Sequence, residues 1–138
     1  MRSDVLERAV QDAVAVLAGS TLVDIRVGVF VVDFVFLGDN LTIIVRTTKR
    51  FEFSIAKDKP KSFDPSLESH DLLVESSEFV FLRGLRCRGA TLNLTRFEVA
   101  FDSDARLWID LVPKDFEPLE LIGTTGERHE KLAFHHVL

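Results

Sequence analysis

The sequence predicts an α+β fold: two similar antiparallel β-meanders, about residues 21–55 and 85–122, each preceded by a helix. They are expected to pack as a sandwich or half-barrel with approximate two-fold internal symmetry. Three observations predict this. Residues 4–18 carry apolar side chains at three- and four-residue steps, and from Thr21 the period changes to two. The connections between strand segments are short, which favours antiparallel neighbours over crossovers. Finally, the pattern of residues 17–47 returns at 82–112. A shift of 65 places Leu17 on Leu82, Gly19 on Gly84, Val27 on Leu92, Asp33 on Glu98 and Phe36 on Phe101. After one inserted residue, 41–45 falls on 107–111.

In the first helix Val5, Leu6, Ala9, Val10, Ala13, Val14 and Leu17 share a face, with Ser3 as an N-cap and Gly19 at the left-handed position beyond the end. Val23, Ile25, Val27 and Val29 alternate with polar residues and make a strand with one wet face. Residues 31–37 form a second, almost wholly apolar strand. Gly38-Asp39-Asn40 is a turn, 41–47 a third strand, and Phe51, Phe53 and Ile55 a fourth. Pro60 and Pro65 interrupt a polar loop, and Asp64-Pro65 suits the start of a helix within 65–82. The second meander takes 85–94 with a bulge at Gly89, then 96–102, the turn Ser103-Asp104-Ala105, and 107–112. Residues 116–122 add an edge strand, since Pro118 argues against a central one. Residues 123–138 form a C-terminal arm or short helix, completing a single domain of 1–138.

Composition bounds the function. With 46% hydrophobic and 28% charged residues, the chain is a soluble globular one. Twelve Phe and no Tyr place most aromatic rings where no polar handle is needed. The lone Cys87 allows no intrachain disulfide and reads as a core residue. No signal peptide or 18-residue apolar run is present, so the expected location is cytoplasmic, with no membrane contact. The formal charge of −5 is unevenly spread: residues 46–61 carry six basic groups against two acids, and 98–120 carry seven acids against Arg106 and Lys114.

Chemistry-bearing motifs are sparse. His129, His135 and His136 lack metal-ligand spacing, so neither metal nor cofactor is predicted. Asp33 and Glu98, acids at equivalent repeat positions inside apolar strands, are either wet-face residues or a buried carboxylate pair for a hydrolase-like enzyme. Cys87 has no assigned base, and no phosphate-binding or nucleophile-elbow motif occurs. Arg83, Arg86, Arg88 and Arg96 are read as a solvated strip, because the net charge is negative and nucleic acid is not favoured.

Leu17-x-Gly19, a strand pair, the Gly38-Asp39 turn, and a second copy ending Glu117-Pro-Leu-Glu120-Leu-Ile-Gly123 resemble a family of small uncharacterised bacterial β-repeat proteins. Some members are suspected immunity partners of secreted toxins. The resemblance covers about residues 17–123, and residues 56–70 and the tail have no counterpart in it. It implies a non-enzymatic protein that neutralises a basic toxin domain through an acidic surface, with no catalytic residue. Asp102, Asp104, Asp110, Asp115 and Glu117 are the partner-binding candidates. The alternative is a small-molecule or lipid-binding module with a cavity lined by Phe30, Phe34, Phe36, Phe97 and Phe101. Exposed strand edges make a homodimer a further expectation.

Overall fold

The computed structural model describes residues 2–56, 59–65, 77–111, 119–125 and 131–138. Helix α1 (Arg2–Ala15) opens the chain, starting one residue ahead of Ser3. It buries Ala13 and Val14, and the turn after it buries Leu17. Gly19 then reverses the chain at φ +87, the left-handed region where an L side chain is disfavoured.

Ten strands follow: β1 (Thr21–Gly28), β2 (Val31–Leu37), β3 (Leu41–Thr47), β4 (Phe51–Ser54), β5 (Lys61–Phe63), β6 (Cys87–Leu92), β7 (Arg96–Phe101), β8 (Arg106–Asp110), β9 (Leu119–Thr125) and β10 (Lys131–Val137). Short 3₁₀ helices occupy Ser77–Leu82 and Asp102–Asp104. The strands form two five-stranded sheets, a first in the order β1-β2-β3-β9-β10 and a second in the order β5-β4-β8-β7-β6. Every strand pairing is antiparallel.

Alternation sends one side of each strand into a single core shared by both sheets. Phe34, Phe36, Ile43, Val45, Leu119 and Leu121 enter it from the first sheet. Phe51, Phe53, Phe97, Val99, Phe101, Leu107 and Ile109 enter it from the second. The sheets meet through aromatic pairs: Phe36 stacks on Phe101 with centroids 6.2 Å apart, and Phe34 meets Phe51 edge-on at 5.1 Å. Phe51 also touches Phe63 and Phe79, each at 5.4 Å, so one ring joins β2, β5 and the 3₁₀ helix before β6.

A second link lies in the backbone. Residues 17–22 run antiparallel to 82–87, and Thr21 bridges Arg86. Gly19 N donates to Cys87 O at 2.8 Å, Cys87 N to Ser20 O at 2.7 Å, Leu22 N to Leu85 O at 3.0 Å, and Gly84 N to Leu22 O at 2.7 Å. Gly84, like Gly19, has a positive φ, of 92.

The fold corrects the expected pairing. The fourth strand of each meander does not stay with its own three: β4 crosses to pair with β8, and β9 crosses to pair with β3. Period-two patterning fixes which side chains face inward, but not which strand completes the ladder. β9 is therefore a central strand, not an edge; it opens at Leu119, directly after Pro118, where no ladder hydrogen bond from proline is needed. In the tail, expected as an ordered arm or a short helix, the described residues Lys131–Val137 form β10, which pairs with β9. There the Phe134 ring lies over Gly123, where an added Cβ would come within 2.3 Å of it. The helix expected within 65–82 falls largely on residues outside the described ones, and its described end is the 3₁₀ helix. No helix among the described residues is long and apolar enough to cross a membrane.

Phe51→Ala is expected to cost about 3–5 kcal/mol in urea unfolding, because its contacts reach three separate elements. Gly84→Ala meets no atom within 4 Å, so its expected cost, about 1 kcal/mol, is conformational alone. Gly89→Ala, equally open but without a positive φ, serves as the near-neutral control.

Candidate functional site

The outer face of the second sheet is the candidate site. Because Phe97, Val99 and Phe101 of β7 and Leu107 and Ile109 of β8 face the core, the alternate residues must face solvent. Register then sets Arg96 opposite Asp110, Glu98 opposite Trp108, and Ala100 opposite Arg106. On the far side of β8, Glu52 of β4 lies opposite Trp108 and Ser54 opposite Arg106. The chain's only Trp is thus half-buried in the middle of a charged face.

Arg96 Nε donates to Asp110 Oδ1 at 3.1 Å, and its guanidinium carbon sits 5.8 Å from the Trp108 ring centre. Arg106 approaches Glu98 at 3.6 Å. Around these side chains lies an open cavity of about 480 Å³, walled also by Ala56, Pro60 and Asp104. A second hollow of about 440 Å³ shares Arg96 and Glu98 and extends to Asn93, Thr95 and Asp110. Its rim is fixed by Asn93 Oδ1, which accepts from the Thr95 and Arg96 backbone N–H groups, each at 2.9 Å. Asp104, on the wall of the first cavity, belongs to the turn at Ser103 and Asp104, both left-handed at φ 68 and 61.

Three of the predicted partner-binding acids are placed here or beside it. Asp104 and Asp110 line the two hollows, and Asp102 is exposed in the same turn as Asp104. Asp115 and Glu117 lie outside the described residues. Sequence reasoning missed Trp108, Arg96 and Arg106 as members of the site. The phase of 96–101 and 106–110 would have put them on one wet face.

Asp33 and Glu98 do not converge. Each is flanked by buried core residues, so each points outward, from a different sheet, with the core between them. Asp33 accepts two hydrogen bonds from Arg46, at 2.8 and 3.0 Å. That hydrogen bonding, with the Asp33 and Glu120 charges, outweighs desolvation and raises the Arg46 pKa. Glu120 in turn meets His135 Nε2 at 2.9 Å. A ladder of polar side chains, Asp33, Arg46, Glu120 and His135, therefore crosses the first sheet's outer face, and the Asp33 carboxylate is held in it.

His136 stacks on Phe134 at 5.5 Å, and His129 lies outside the described residues. Among the described residues no three His, Cys, Asp or Glu are grouped to hold a metal. Phe34, Phe36, Phe97 and Phe101 keep no more than 1% exposure, packed as core rather than lining a space. Phe30 is elsewhere, 55% exposed at the β1–β2 turn. Cys87 is buried, and desolvation pushes its thiol up to about 11 from the ordinary 9.0. Matched against protein-family models, curated proteins and solved structures, the chain has no counterpart, so function is read from the geometry.

The Cys87 shift sets a pH dependence. Between the two thiol values the unfolded chain has lost a proton that the folded one keeps, so raising the pH favours unfolding. Stability should fall from about pH 9 to 11 by up to about 2 kcal/mol more in the native chain than in Cys87→Ala, measured by urea midpoints. Parallel profiles would show that the thiol does not carry this linkage.

Proposed function

We propose that the chain is a non-catalytic binding protein that docks a basic protein partner on the outer face of its second sheet. In its specific form it is a bacterial immunity protein that neutralises a basic toxin domain in the cytoplasm. The carrying observation is the Trp108 groove, where a half-buried aromatic ring lies among Arg96, Arg106 and the carboxylates of Glu98, Asp104 and Asp110. Tryptophan and arginine in a partly desolvated setting are the side chains on which protein interfaces concentrate their energy. The ion pairs of Arg96 with Asp110 and of Arg106 with Glu98 lie at the surface, where an incoming cation can replace the arginines at small cost. The net charge of −5 favours rapid encounter with a basic partner.

The duplication belongs to the same reading. Four observations support it: Gly19 and Gly84 share a positive φ, and the four hydrogen bonds between 17–22 and 82–87 interchange under the shift of 65. Phe36 stacks on its own counterpart, Phe101. Each triplet of strands also receives its two further strands from the other half. In this two-fold arrangement the groove face of one half corresponds to the charge-ladder face of the other, so a single ancestral face has diverged into a scaffold and a binding surface.

The immobilised protein should retain one basic protein from the cells that make it, at low and at moderate salt. Adding that purified partner should shift the emission of Trp108, the chain's sole indole reporter. Trp108→Ala should weaken the complex at least about ten-fold, and Asp104→Asn with Asp110→Asn should slow association in a salt-dependent way. A partner that binds Trp108→Ala equally well, or leaves the emission unchanged, would overturn the assignment of the face.

A further inference from the structure

We infer that the groove receives an arginine side chain of the partner, laid on Trp108 in the place that Arg96 holds in the unbound chain. This rests on the proposed docking face and names the group that enters it. Strand register builds the site. Glu52 of β4 and Glu98 of β7 lie opposite Trp108 on its two sides, and Asp110 follows it by two residues on the same face of β8. Three carboxylates therefore flank the indole, and Asp104 adds a fourth on the wall of the cavity of about 480 Å³ beside it. An aromatic face ringed by carboxylates suits a guanidinium, which stacks through its plane and donates from its edge. Arg96 already shows that geometry. Its guanidinium carbon lies 5.8 Å from the ring centre while its Nε donates to Asp110 at 3.1 Å.

Local charge and reach decide between a cation and an anion. Beside the Arg96–Asp110 pair, Arg106 approaches Glu98 at 3.6 Å and Arg50 approaches Glu52 at 3.8 Å, both beyond hydrogen-bond length. The Arg106 and Arg50 side chains are 62% and 61% exposed, whereas Glu98 and Glu52 are 30% and 33% exposed. The arginines stand on long stems that can swing into water, and the glutamates stay against the sheet. A cation can thus take an arginine's place on this face. An anion would have to enter among carboxylates that remain there. Arginine fits better than lysine, because an ammonium has no plane to lay on the indole.

The sole Trp gives a single indole N–H signal by NMR, so binding is read at Trp108 itself. The full chain is titrated with N-acetyl-arginine amide, its uncharged isostere N-acetyl-citrulline amide, and inorganic phosphate. The arginine probe should move the signal saturably and bind at least about ten-fold more tightly than the citrulline probe. Arg96→Gln, which vacates the indole, should bind the arginine probe at least about three-fold more tightly than the native chain. Arg88→Gln makes the same charge change at an exposed position of β6 and should leave the affinity unaltered. Glu98→Gln leaves Arg96 in place and should weaken the probe at least about three-fold, which keeps the test standing if Arg96→Gln unfolds. An indole signal that ignores arginine or answers only to phosphate, a loss of affinity in Arg96→Gln, or an equal gain in Arg88→Gln would each overturn the inference. Capture of the partner separates the two readings. If a basic protein is retained through Trp108 but binds Arg96→Gln less well, the docking face stands and the exchange fails. If the probe behaves as expected and no protein is retained, the arginine site stands and the docking reading fails.

Discussion

The antiparallel contact between residues 17–22 and 82–87 is the constraint on which the rest of the molecule depends. It joins the two halves at the point where each enters its first strand, and Leu17, Leu22, Leu82 and Cys87 are fully buried there. Four backbone hydrogen bonds of 2.7–3.0 Å hold it, with Ser20, Leu22 and Cys87 buried and Gly19 and Gly84 at the surface. The two glycines make the geometry possible, since each places a left-handed residue where the chain must turn into the seam. Once the seam is set, β1 and β6 diverge into separate sheets, and the apolar faces of both have only each other to cover them.

Strand exchange then locks the arrangement. Because β4 completes the second sheet and β9 the first, neither half can bury its own aromatic residues alone. Phe51 and Phe53 reach the core only beside β8, and Leu119 and Leu121 only beside β3. The cost falls on folding kinetics, since such contacts join residues far apart in sequence. The gain is that a short crossing brings Glu52 and Ser54 beside Trp108 and Arg106, so the groove has walls from three strands, β4, β7 and β8.

Much of this was legible in the sequence, and the part that was not has a physical reason. The helix, the strand phases, the outward direction of Asp33 and the burial of Cys87 all follow from local periodicity. Gly19 pointed to the left-handed residue after the first helix. The groove was not read as a site although Arg96, Glu98, Arg106, Trp108 and Asp110 share the wet face of one hairpin; only its wall of Ser54, Ala56 and Pro60 depends on strand exchange. Pro118 suggested an edge strand, although a proline just ahead of a strand costs the ladder nothing. A Phe-lined cavity stayed open beside the core reading because hydrophobic patterning cannot distinguish a lined space from a filled one. Density of packing decides that, and Phe36 on Phe101 fills it.

The two outer faces differ in how their charged side chains are held. On the first sheet Asp33 takes both its bonds from Arg46 in a half-buried setting, and Glu120 and His135 continue the ladder. Breaking that pair would strand a partly desolvated charge, so the face is satisfied internally and has little to offer a partner. On the second sheet the corresponding pairs, Arg96 with Asp110 and Arg106 with Glu98, are longer and exposed. Exposed pairs of this kind contribute about 0–1 kcal/mol, so exchanging them for intermolecular ones is nearly free. In the proposed binding role the favourable energy of docking would fall to Trp108, with the charged pairs orienting the partner.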